Sequence, residues 1–60
     1  MMICEVQLYS QSQPIVHENV VNTYTKDGLF VIRIDALPGE HPTYAKFPVM
    51  HIFRIKEYQR

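Results

Sequence analysis

The 60-residue chain has no tryptophan and a single cysteine, Cys4, so no internal disulfide can form and the paired C-x-x-C spacings that clip small folds around zinc are missing. Glycine occurs only at Gly28 and Gly39, which excludes a glycine-rich phosphate loop. Neither sign of charge is in surplus: six basic side chains balance six acidic ones, an argument against binding driven by counterion release from nucleic acid. No apolar run approaches the roughly 20 residues of a membrane helix. The opening Met1-Met2-Ile3-Cys4-Glu5 lacks the basic head and apolar stretch of a secretory signal, so a cytoplasmic location and no membrane partner are expected.

What is present is an ordinary globular composition, 47% hydrophobic and 20% charged, well away from the signature of disorder. A domain of about 60 residues buries only roughly 60% of the surface its unfolded chain exposes. Stability gained from a partner chain is therefore expected, and zero net charge removes repulsion between copies, which favours a homo-oligomer, a dimer in its simplest form.

Hydrophobic periodicity divides the chain into strands. From Met2 to Tyr9, Met2, Cys4, Val6 and Leu8 alternate with Glu5 and Gln7, the period of two of a half-buried strand. Ser10 to Pro14 is polar and ends in proline, a loop. Ile15 to Thr25 is rich in valine, threonine and tyrosine, with Val20 and Tyr24 placed on alternate positions about Asn22 and a bulge expected at Asn19. Lys26-Asp27-Gly28 supplies a tight hairpin turn into Leu29 to Ile34, which is β-branched or aromatic at nearly every position. Ala36 to Pro42 is a loop built on Pro38-Gly39. Thr43 to Phe47 reads as a short fourth strand closed by Pro48. Pro48 to His51 then suits one 3-10 turn before a last strand from Ile52 to Tyr58, with Phe53 and Ile55 inward; an amphipathic helix over Pro48 to Tyr58 is the alternative. One all-β domain spanning residues 1–60 is expected, a small five-stranded antiparallel SH3-like barrel with a short 3-10 turn before the last strand.

Two segments, Asn19-Val20-Val21-x-x-Tyr24-x-x-Asp27-Gly28-Leu29-Phe30 and Phe47-Pro48-x-x-His51-Ile52-Phe53-Arg54-Ile55-Lys56-Glu57, resemble small proteins of Gram-positive bacteria and their phages and mobile elements. That group carries no assigned activity, so the resemblance implies a source and a compact β fold without implying a site. The start Cys4-Glu5-Val6 is similar to small nickel-binding proteins whose cysteine follows the initiator methionine, but Met2 and Ile3 intervene in this chain.

Candidate chemistry is sparse. Cys4, His17, His41 and His51 offer thiolate and imidazole ligands suited to zinc or nickel, yet no two are spaced to share one element, and Cys4 lies on the apolar side of its strand, where core packing accounts for it. Carboxylates are scattered singly, and Asp27 is explained by its turn. No catalytic residue, metal ligand set or cofactor is therefore assigned, and a non-enzymatic role is expected. The candidate binding surface is Tyr44, Lys46, Arg54, Lys56 and Tyr58, which share an outward parity on the last two strands. Aromatic and arginine side chains anchor protein interfaces, so a protein partner is the leading expectation, with nucleic acid stacked on the tyrosines as the alternative and nickel or zinc binding through Cys4 as a third reading. The expected core is Val6, Leu8, Val20, Leu29 or Phe30, Ile32, Ile34, Phe47, Ile52 or Phe53, and Ile55.

Overall fold

The computed structural model describes residues 2–36 and 38–59; Leu37, placed by the sequence in the Ala36 to Pro42 loop, lies outside the described residues. Five strands form one antiparallel sheet: β1 (Met2–Leu8), β2 (Ile15–Lys26), β3 (Leu29–Ile34), β4 (Thr43–Pro48) and β5 (Ile52–Gln59), in the order β4-β3-β2-β1-β5. A single 3-10 turn, Val49–His51, precedes β5, and the helical alternative over Pro48 to Tyr58 is excluded.

The hairpin between β2 and β3 is set by its turn. Asp27 and Gly28 both adopt positive φ, 53° and 76°, which brings Lys26 opposite Leu29 and sets the register of the hairpin as far as Asn22 opposite Arg33. Further back, β2 is interrupted twice. Asn19 takes a left-handed φ of 59° where β2 gains one residue on β1, and a second extra residue at Val21 shifts β2 against β3. Asparagine adopts that backbone more readily than other non-glycine residues because its short polar side chain can hydrogen-bond to nearby backbone. The second bulge moves Tyr24 to the face opposite Val20, so simple alternation across Asn22 fails for these two residues.

The bulges let one long strand serve two neighbourhoods. Residues 15–20 of β2 pair with β1, residues 20–26 pair with β3, and Val20 is the register partner of both Met2 and Ile34. The two halves of the sheet fold toward each other about this point. Rings on non-neighbouring strands meet as a result: His17 on β2 stands edge-to-face with Phe47 on β4, centroids 5.7 Å apart. Thr23 on β2 donates its hydroxyl to Glu57 on β5 at 2.5 Å. Between the halves lie Cys4, Val6, Val20, Phe30 and Ile32, all buried, with Met2, Leu8, Ile34, Ala45, Phe47 and Ile52 packed around them.

The roll stops short of the expected barrel. Strands β4 and β5 are consecutive but do not pair, and they remain as the two edges of the sheet. Pro48 has no amide to continue a ladder, and the 3-10 turn that follows diverts the chain, its Val49 amide bonding back to the Gly28 carbonyl at 2.9 Å. At the other side of the turn the Tyr9 amide donates to the His51 carbonyl at 3.0 Å. The gap is thus bridged by a corner rather than by strands.

Two expected core residues are corrected. Phe53 is the extra residue of a bulge between β1 and β5 and is exposed, while Ile52 takes the inward place beside Leu8. Ile55 pairs with Val6 on the core side but lies at the open margin of β5 and is 40% exposed. Phe30, not Leu29, fills the β3 position. Ile3 and Val31 are buried on the opposite face, which sequence alternation assigns to solvent. Val31 lies between Tyr24 and Lys46 in the ladder, and long side chains of that kind cover apolar surface with their stems.

Ile32 is fully buried, so Ile32→Ala is expected to cost about 2–5 kcal/mol in urea denaturation, whereas exposed Phe53→Ala should cost under about 1 kcal/mol. At the left-handed bulge, Asn19→Ala should destabilise by about 1 kcal/mol and Asn19→Gly should not, as read from the same denaturation midpoints.

Candidate interaction surface

Alternation along β4 and β5 gives Tyr44, Lys46, Arg54, Lys56 and Tyr58 the same outward parity, as the sequence expects, but the strands that carry them are opposite edges of the sheet. The five residues therefore form two groups separated by β3, β2 and β1.

The β5 group is internally satisfied. Tyr58 donates its hydroxyl to Glu5 on β1 at 2.5 Å, and the Lys56 ammonium lies 5.6 Å from the Tyr58 ring centroid. The Arg54 guanidinium sits 5.6 Å over the Phe53 ring. Arg54 and Lys56 line a shallow open groove of about 190 Å³ with Glu5, Gln7 and Pro14. Glu5 is the register partner of Lys56, so the groove carries both signs of charge.

Tyr44 and Lys46 on β4 belong with residues of the β2–β3 hairpin. Lys46 lines a second open groove, of about 220 Å³, with Tyr24, Lys26, Asp27, Leu29 and Val31. Sequence reasoning missed Tyr24 and Lys26 as members of this surface. The signal was present in the two-residue Asp27-Gly28 turn, which dictates that Lys26 opposes Leu29 and Tyr24 opposes Val31.

A third feature is apolar and lies at the corner bridging β4 to β5. Tyr9 and Phe53 meet edge-to-face with centroids 5.4 Å apart, yet both are largely exposed. Beside them the 3-10 turn presents Val49 and Met50, the latter 80% exposed. Four large apolar side chains around one tied corner exceed the scattered single exposures ordinary for a monomer surface.

Cys4, by contrast, is enclosed. It sits in a row across three strands, between its register partners His17 on β2 and Glu57 on β5, with the His17 Nδ1 3.4 Å from the Cys4 carbonyl oxygen. Burial, and then the carboxylates of Glu57 and Glu5, push the thiol up to about 11 from 9.0. A protonated, inaccessible thiol is neither a nucleophile nor a ready metal ligand at neutral pH. Among the described residues no group of three or more histidine, cysteine or carboxylate side chains is placed to hold a metal ion. Nor does any described helix have the length and apolarity to cross a membrane.

No protein-family model, curated protein or solved structure matches the chain.

The raised thiol pKa has a defined sign. Native and unfolded chains are equally protonated below pH 9, but above it the unfolded thiol ionises first. Stability is therefore lost as pH rises from about 9 to about 11, by roughly 2 kcal/mol, and the difference between wild type and Cys4→Ala in denaturation curves should narrow by that amount. At pH 7.5 a thiol-reactive dye should label Cys4 only in the unfolded protein.

Proposed function

We propose that this protein is a small, non-catalytic interaction module of the cytoplasm that docks protein chains at the corner between β4 and β5 and along the open edge of β5. The observation that carries the reading is the exposed apolar cluster of Tyr9, Val49, Met50 and Phe53 at the end of an eight-residue edge strand that pairs with β1 on one side and is open on the other. Aromatic side chains and methionine are the residue types that anchor interfaces, and the open side of an edge strand offers backbone donors and acceptors to an incoming one. Of the two edges β5 is the better platform, because β4 is shorter and ends in Pro48.

The simplest partner is a second copy, through the apolar corner. Pairing β5 directly with β5 of another copy is disfavoured when Arg54 and Lys56 face their counterparts, a like-charge arrangement that also protects edges from aggregation. A strand with acidic residues on its outer face suits the same edge. The strand order, together with a 3-10 turn ahead of the last strand, supports an SH3-like assignment for the roll despite its open seam.

Sedimentation velocity across a concentration series tests the proposal, comparing wild type with the double variant Met50→Ser, Phe53→Ser. Concentration-dependent association that weakens by at least tenfold in the variant is expected, with a stability loss of no more than about 1 kcal/mol in denaturation because both side chains are exposed. A strict monomer that recovers the same proteins from lysate with and without the two substitutions would overturn it.

A further inference from the structure

All five basic side chains among the described residues occupy the outer parity of the sheet: Lys26 on β2, Arg33 on β3, Lys46 on β4, and Arg54 and Lys56 on β5. They divide unequally in their company. On the β1–β5 half, Arg54 and Lys56 share their groove with Glu5. On the other half, residues 20–26, 29–34 and 43–48 contain no aspartate or glutamate at all. Lys26 and Lys46 share their groove with one carboxylate, Asp27, at the turn that closes one end, and Asp35 follows Arg33 just beyond the other end of β3. Within the strands of this half, three cations thus stand without a carboxylate among them, a local excess of positive charge that the zero net charge of the chain conceals.

Register places the aromatic rings among those cations. One cross-strand row is Asn22, Arg33 and Tyr44; the next is Tyr24, Val31 and Lys46; the third is Lys26, Leu29 and Pro48. Adjacent rows lie about 7 Å apart along the strands. Tyr24 and Tyr44, 41% and 49% exposed, stand diagonally across this face, each beside a lysine or arginine. Between Tyr24 and Lys46 the surface dips into the 220 Å³ groove, floored by Leu29 and Val31.

We propose that the outer face of β2, β3 and β4 binds single-stranded nucleic acid, with Tyr24 and Tyr44 stacking bases and Lys26, Arg33 and Lys46 holding phosphates. Exposed rings beside an apolar-floored groove suit unstacked bases, which a duplex does not present, while the interleaved cations supply the sequence-independent grip on the backbone. The surface lies on strands other than β5 and does not involve the Tyr9–Met50–Phe53 corner, so the two proposals fail independently.

Fluorescence anisotropy of a labelled oligothymidylate at low salt tests it, with tyrosine-to-leucine variants chosen to keep the apolar cover over Val31. Tyr24→Leu and Tyr44→Leu are each expected to weaken binding roughly tenfold. Lys46→Gln should flatten the dependence of log K on log salt by about 0.7. Lys56→Gln, on the other half of the sheet, should change affinity by less than about twofold and serves as the control. Circular dichroism verifies that each variant folds. Absence of binding at low salt, equal losses from Lys46→Gln and Lys56→Gln, or tyrosine variants that bind oligothymidylate and heparin as wild type does would each overturn the assignment. Equal affinity for duplex and single strand would do the same.

Discussion

Everything in this domain depends on the bend in β2. A flat five-stranded sheet of such short strands would leave its apolar face in water, because the described residues form no second sheet and no helix beyond the one 3-10 turn to cover it. The left-handed turn at Asn19 and the extra residue at Val21 redirect one strand so that its first half extends the β1–β5 sheet and its second half extends β3–β4. The apolar faces of the two halves then become each other's cover, and Val20 at the pivot touches both. The small core of Cys4, Val6, Val20, Phe30 and Ile32 exists because of that geometry.

Folding a sheet on itself also sorts its outer surface. Each half keeps an outer face with its own residues, and the two faces end up chemically different: one mixes Glu5 with Arg54 and Lys56, the other interleaves tyrosines with cations and has no carboxylate in its strands. Incomplete closure adds a third surface, since the corner that bridges β4 to β5 cannot bury Tyr9, Val49, Met50 and Phe53 behind a ladder that does not form. The roll thus exposes three surfaces of different chemistry.

Much of the architecture was legible in the sequence. Period-two alternation, the Asp27-Gly28 turn and the proline at position 48 locate every strand, and Asn19 marks a bulge. What failed did so for a common reason. Alternation assigns faces only while register is continuous, and the extra residues at Val21 and Phe53 each reverse the parity downstream. Tyr24 and Phe53 were misplaced on that account, and Ile55 because edge position, not parity, decides whether an inward residue is covered. The candidate surface was half legible: parity on β4 and β5 was read correctly, but strand order is a long-range property, and nothing in residues 43–58 alone says that three other strands lie between them.

The pairing of Met2 with Gln59 closes the longest loop in the molecule with the last rung of its ladder. Local turns hold β2, β3 and β4 together, but β5 is joined to the rest across almost the whole length of the chain, so its attachment carries the greatest entropic cost of closure. The ends of the described chain stand one strand spacing apart, on neighbouring antiparallel strands. A covalent tether between them would remove that cost from the unfolded ensemble, by up to about 4 kcal/mol, without moving any residue of the native sheet. Circularisation thus complements the topology of this fold, converting its least local contact into a permanent one.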